Sequence, residues 1–184
     1  GIVNSVPGGV GSVYSTATVS LNSGACRGCS VGNSENSAGG IVGVNYGTVS
    51  GAYATGAVTG GSFANLGGLI GLEDSTAATG DNAVADCYST GAVTGEAGSS
   101  VGGSTGFDMT PGYISDVYWD TTTSGITNSS QGSGNITNDS GITGLTTTQL
   151  QSGLPAGFNS NTGWGESPSI NGGLPYLLAI PPNK

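Results

Sequence analysis

Histidine is absent from this 184-residue chain, and positive charge nearly so: Arg27 and Lys184 are its only cations, against 11 Asp and Glu and a net charge of −9. Charged residues make up 7% of the total, where about 25% is usual. Each shortage excludes something. With two cations there is no electrostatic footprint for a nucleic acid and none for an anionic membrane surface. Without imidazole, the triads and metal sites built on it are gone. No apolar run comes near the roughly 18 residues that a membrane-spanning helix needs. The opening GIVNSVPGG has neither the basic start nor the apolar run of a signal peptide. So few acids, bases and phosphate-holding groups point away from an enzyme, and no cofactor is expected.

What the chain has instead is 37 Gly, 25 Ser, 21 Thr and 14 Asn, just over half of its residues. Disorder combines low hydrophobicity with high net charge. Here the mean hydropathy is +0.02 with only seven Pro, and the apolar residues form short β-branched clusters. That pattern suits short strands joined by tight turns.

Two phrases repeat. One is centred on tyrosine: Val13-Tyr14-Ser15-Thr16, Ala52-Tyr53-Ala54-Thr55-Gly56-Ala57-Val58-Thr59-Gly60, Cys87-Tyr88-Ser89-Thr90-Gly91-Ala92-Val93-Thr94-Gly95, and a degenerate Val117-Tyr118-Trp119-Asp120. The other precedes the last three: Gly39-Gly40-Ile41-Val42-Gly43, Gly67-Gly68-Leu69-Ile70-Gly71 and Gly102-Gly103-Ser104-Thr105-Gly106. Each unit holds three apolar stretches, in the second copy 41–44, 48–54 and 57–59. Strands this short bury no face alone but do so when copies stack. The expected fold is all-β: a right-handed parallel β-helix (a β-solenoid) over 1–120, with three strands per triangular coil and glycine at the corners. Residues 121–144 read as a Thr/Ser/Gly-rich loop or irregular coil. Residues 145–184 read as a C-terminal cap and linker. Within them, Thr146 as N-cap and Gln149 three residues later predict a short helix near 146–152. The apolar remainder, from Phe158 and Trp164 to Ile180, is expected to lie over or along the last coils.

Alternation places Cys87 in the slot of Val13, Ala52 and Val117, which reads as an interior packing cysteine. Cys26 and Cys29 form a CxxC with no helix to follow. Redox chemistry is therefore disfavoured, and three cysteines without histidine do not complete a zinc site. A local disulfide between Cys26 and Cys29 is the reading for an exported chain. Tyr14, Tyr53, Tyr88 and Tyr118 should stack as a column, a structural ladder with a sugar platform as the alternative. Thr16, Thr55 and Thr90 share one slot, and Thr18, Thr59 and Thr94 another, so they should align as hydroxyl ladders. Thr16, Thr55, Thr90, Tyr53, Tyr88, Trp119 and Trp164 are the candidate ligand contacts of an ice- or glycan-binding surface. Asp86 and Asp116 share the slot two residues before tyrosine and are the sharpest carboxylate pair for a polysaccharide-cleaving alternative. No catalytic set and no metal-ligand spacing are found.

The Gly-Gly-Ile-Val-Gly and Ala-Tyr-Ala-Thr-Gly-Ala-Val-Thr-Gly phrases resemble the GLUG repeats of large bacterial surface proteins. They are most similar to copies in filamentous-haemagglutinin-like exoproteins of two-partner secretion systems. Val117-Tyr118-Trp119-Asp120-Thr121-Thr122-Thr123-Ser124-Gly125, Gly144-Leu145-Thr146-Thr147-Thr148-Gln149-Leu150 and Gly173-Leu174-Pro175-Tyr176-Leu177 resemble the segment that closes such arrays. The resemblance implies a right-handed β-helix in a secreted or cell-surface adhesin of a Gram-negative bacterium. It also implies passage through an outer-membrane transporter during export of a longer protein, and a host-cell glycan or surface protein as partner. Three cysteines are more than such exoproteins usually carry. Nucleic-acid binding and membrane insertion are not expected.

Overall fold

A computed structural model describes residues 2–4, 8–21, 32, 36–75 and 83–182, the first of these as backbone only. The chain runs β1 (Ile2–Asn4), β2 (Gly9–Ser15) and β3 (Val19–Leu21), then β4 (Ser37–Gly39), β5 (Val42–Asn45), β6 (Thr48–Ala54) and β7 (Val58–Gly60). The same order returns as β8 (Asn65–Gly67), β9 (Ile70–Glu73), β10 (Val84–Ser89) and β11 (Val93–Gly95), and once more as β12 (Ser100–Gly102), β13 (Thr105–Asp108) and β14 (Ile114–Asp120). β15 (Ile142–Leu145), the helix α1 (Thr147–Leu150) and the two short strands β16 (Trp164–Gly165) and β17 (Tyr176–Leu177) complete it.

Equivalent strands of successive passes pair in parallel, giving four sheets. Sheet A is β1-β5-β9-β13, sheet B is β15-β14-β10-β6-β2, sheet C is β11-β7-β3 and sheet D is β12-β8-β4. The protein is thus all-β, with parallel sheets and almost no helix. The register follows the repeated phrases: Tyr14, Tyr53, Tyr88 and Tyr118 are direct partners, as are Val58 and Val93. A full pass holds four strands, not the three expected. The missed strand is β4, β8 or β12, three residues ending on the first glycine of the Gly-Gly phrase. Its Ser-Ala-Gly, Asn-Leu-Gly and Ser-Val-Gly sequences carry one apolar side chain each, too little for a periodic signal.

The Gly-Gly phrase is a corner where sheets D and A meet backbone to backbone. A Cβ on Gly67 would lie 2.1 Å from the Ile70 carbonyl oxygen and 2.4 Å from that of Ser104. A Cβ on Gly71 would lie 2.5 Å from the Ala38 nitrogen. The second glycine faces sheet B: a Cβ on Gly40 would meet the Ala54 methyl at 2.6 Å, and one on Gly103 the Trp119 ring at 2.1 Å. Removing every Cβ here lets the walls approach to contact distance. The phrase is therefore a packing requirement before it is a turn signal.

Inside, Val42, Ile70, Val49, Ala52, Val84, Cys87, Ile114 and Val117 form one cluster between sheets A and B. Val58, Leu66, Val93 and Trp119 belong to a second cluster. Sheet B bends to serve the first. Ser12, Gly51, Asp86 and Asp116 all hold left-handed φ of 51° to 56°, and the pairing steps over each of them. The register is the same on either side of each, but the inward–outward alternation of side chains shifts by one at the same place in each pass. Val49, Ala52 and Ala54 point inward, and Tyr53 points out.

The outward tyrosines are covered by the chain's own C-terminal segment. Tyr53, Tyr88 and Tyr118 pack with Leu150, Phe158, Trp164 and Leu177 in a third cluster. The segment thus lies along the flank of sheet B. Its entry is α1, capped by Thr146 and Gln149 in a reciprocal capping box, with Leu150 buried beneath it. Residues 121–144, read from composition as a loop, add to the stack. Ser133 bridges Thr105, Ser104 and Thr105 both donate to the Gly132 carbonyl, and β15 pairs with β14. Isolated Ile and hydroxyl side chains gave no strand period to reveal this.

Candidate functional site

Four of the candidate ligand-contact residues lie inside the molecule. Tyr53, Tyr88 and Trp119 are fully buried and Trp164 is 1% exposed, so the expectation that these aromatics form an exposed surface is corrected. Three stacked phenol rings make too large an apolar face to leave in water. Tyr14, Tyr53 and Tyr88 stack with ring centroids 5.0 Å apart at each step. Trp164 tilts over Tyr53 and Tyr88 at 5.9 and 5.7 Å, and Phe158 meets Tyr118 edge-on at 5.5 Å. The Tyr88 hydroxyl donates to the Pro175 carbonyl at 2.6 Å and accepts from Asn171 Nδ2 at 2.8 Å. The Tyr118 hydroxyl donates to the Ala156 carbonyl at 3.0 Å. Trp119 takes the place of Ala54 and Ser89 and turns into the core, over Gly103.

The threonines form columns, with one correction. Thr16, Thr55 and Thr90 follow paired residues and stand at one corner; Thr16 is exposed and the other two are half-buried. In sheet C, however, Thr59 pairs with Ser20 rather than aligning with Thr18. The exposed hydroxyl column is thus Ser20, Thr59 and Thr94, with Thr59 Oγ1 donating to Ser20 Oγ at 3.1 Å. Cys87 is wholly buried among aliphatic side chains, and burial pushes its thiol up to about 12. Cys26 and Cys29 lie outside the described residues.

Asp86 and Asp116 occupy equivalent kink positions on neighbouring strands, where their left-handed backbone suits Gly, Asn or Asp. Burial, then the nearby Asp116 charge, raises Asp86 above the usual carboxylate range. The covering segment passes over the pair: a Cβ on Gly157 would lie 2.6 Å from Asp116 Cγ. The shared slot is explained by backbone geometry, and that contact restricts access to Asp116.

A second acidic group went unnoticed in the sequence. Asn45, Glu73 and Asp108 are direct partners at the ends of β5, β9 and β13, and Asp139 lies against Asp108. Glu73 is fully buried and Asp108 and Asp139 are 2% and 5% exposed. Glu73 accepts from Asn45 Nδ2 at 2.7 Å, from the Ser75 amide at 3.0 Å and from the Ser75 hydroxyl. Burial still lifts its carboxyl to about 7. Burial does the same to Asp108, also to about 7, with Asp139 and Glu73 adding repulsion, and burial raises Asp139. The signal was available: each of Asn45, Glu73 and Asp108 sits six residues after the first glycine of its Gly-Gly phrase. Asp139 has no such phrase before it. Among the described residues, no three His, Cys, Asp or Glu side chains gather in a metal-holding arrangement, and no helix is long and apolar enough to cross a membrane.

No protein-family model matches this chain, and no match is found among curated proteins or among solved structures.

Proposed function

We propose that this chain is a non-enzymatic segment of a secreted or cell-surface protein, built as a right-handed parallel β-helix and acting in adhesion or as a stalk. The observation that carries the reading is the in-register parallel pairing of equivalent strands through all four sheets. Such a stack grows by adding passes and presents each outward side chain again about 4.8 Å further along. Parallel strands joined by crossovers are almost always right-handed, which supports the handedness. With the tyrosine face covered from within, the repeated surface left to a partner is the hydroxyl face of sheet C, with Ser20, Thr59 and Thr94. A neutral array of hydroxyls suits hydrogen bonding to glycans or to a polar protein surface. Export, a bacterial envelope and adhesion enter through the likeness of the repeated phrases to GLUG repeats.

Binding of the purified chain to an immobilised glycan panel and to cultured epithelial cells tests it. Saturable binding that Thr59→Tyr and Thr94→Tyr abolish is the expected result for adhesion through sheet C. No binding to any surface removes adhesion and leaves the stalk role. An experimental structure with left-handed connections between the sheets would remove the architecture itself. The ice-binding alternative keeps the same hydroxyl column, and zero thermal hysteresis would end it.

A further inference from the structure

Among the described residues no cation faces the buried carboxyls on sheet A. The chain's two cations, Arg27 and Lys184, both lie outside the described residues, and there is no histidine. Burying a carboxylate without a partner is expensive, and the usual escape is to keep its proton. The groups facing the Asp108 carboxyl are Glu73 from β9, Asp139 from the segment that follows β14, and the Thr110 amide, which donates to Asp108 Oδ1 at 2.8 Å. Asp74, next to Glu73, adds a further negative charge. Asp108 Oδ2 and both Asp139 oxygens are buried without a well-formed hydrogen bond; the Ser133 hydroxyl and the Ser140 amide lie beside Asp139 and only partly offset its burial. The Ser133 hydroxyl donates to Asn135 Oδ1 at 2.8 Å. Two carboxyls within hydrogen-bonding reach of each other can bond only if one is protonated.

We propose that Asp108 and Asp139 share one proton, and that this proton latches residues 131–141 onto the edge of sheet A. The rest of that attachment is neutral. Asn135 accepts from the Asp108 amide and donates to the Asp108 carbonyl, both at 2.8 Å, and Gly134 donates to the Thr105 carbonyl at 3.0 Å. Loss of the proton leaves two buried like charges facing one another beside Glu73, with these neutral bonds and the backbone bonds to Gln131 and Gly132 left to hold the pass in place. The sign is the reverse of ordinary acid denaturation. In the unfolded chain each carboxyl loses its proton near pH 4. In the folded chain Asp108 and Glu73 keep theirs to about 7. Their stabilisation is therefore complete below about pH 4 and is lost as the pH rises through about 7. The latch tightens in acidic surroundings and loosens in alkaline ones.

Thermal unfolding of the full chain from about pH 5 to about pH 8.5 tests this, because the slope of stability against pH counts the protons released on unfolding. The wild type should lose stability from about pH 5 to about pH 7 and level off above it. Asp139→Asn should lower the slope by about one proton, and Glu73→Gln should lower it again. Hydrogen exchange, corrected for intrinsic rate, should show amides 132–142 losing protection above neutral pH in the wild type and not in Asp139→Asn. An unchanged slope in Asp139→Asn overturns the proposal. So does restoration of the wild-type melting temperature at alkaline pH by millimolar Ca²⁺, which would make the pair a cation site. Should the variant fail to fold, infrared spectra of the wild type decide. A protonated-carboxyl band that fades through neutral pH supports the latch, and its absence at acidic pH sinks it.

Discussion

The seam between sheets D and A and the outer face of sheet B solve one problem, packing a repeated strand against something, by opposite means. At the seam the solution is to have no side chain: Gly39, Gly67 and Gly71 bring backbone against backbone. On the outer face it is to have the largest available, one tyrosine per pass, with Trp164 and Phe158 laid over the rings. Any atom added at the seam is too much, whereas any atom removed from the face leaves a hole. The seam is also internal to the stack, so damage there reaches every sheet. The face joins the stack to a segment held mainly by ring contacts and a few hydrogen bonds, so damage there should stay local.

The comparison breaks first at the seam. Gly67→Ala should be more damaging than Trp164→Ala, Tyr88→Phe or Tyr53→Phe, because its methyl carbon would sit 2.1 Å from one backbone carbonyl oxygen and 2.4 Å from another. A cost of about 4 kcal/mol or more is expected, read as loss of soluble protein or of the cooperative melt; a melt within 1 °C of wild type would show that the walls can part. Next is Trp164→Ala, with a cost of about 3–5 kcal/mol confined to the cover. Exchange protection should vanish from residues 146–178 and persist in β6 and β10. Protection lost from both together would make face and seam one unit. The smallest effects sharpen the contrast within the face. Tyr88→Phe removes the bonds to the Pro175 carbonyl and from Asn171 and should cost about 1–2 kcal/mol. Tyr53→Phe removes a buried hydroxyl that has no partner and should be neutral or stabilising by up to about 1 kcal/mol. Urea melts of the pair, if reversed in order, would place the weight of the cover over Tyr53 instead.

What could be read in advance divides along the same line. The tyrosine phrase marked its strand well, with the expected 48–54 coinciding with β6, because alternating large and small side chains leave a period. The seam left none. Glycine has no face to alternate, so the phrase marked a corner and the strand near 41–44 but not the three-residue strand that ends on its first glycine. The shared slot of Asp86 and Asp116 was visible, but its meaning lay in φ, which Ser12 and Gly51 share and composition does not display. Buried acids are invisible to hydropathy, which places Glu73 and Asp108 outside. Only their common distance from the Gly-Gly phrase marked them as one column. The helix at Thr147–Leu150 was legible because capping is local chemistry.

The left-handed residue that recurs in sheet B at Ser12, Gly51, Asp86 and Asp116 has a genetic corollary. A tandem duplication of the coding stretch between two such positions would insert a whole layer already in phase with its neighbours above and below. A duplication out of step with them would turn the aromatic rings toward the aliphatic interior. Lineages carrying this architecture are therefore free to vary in height by entire storeys, and selection should find the intermediate lengths empty.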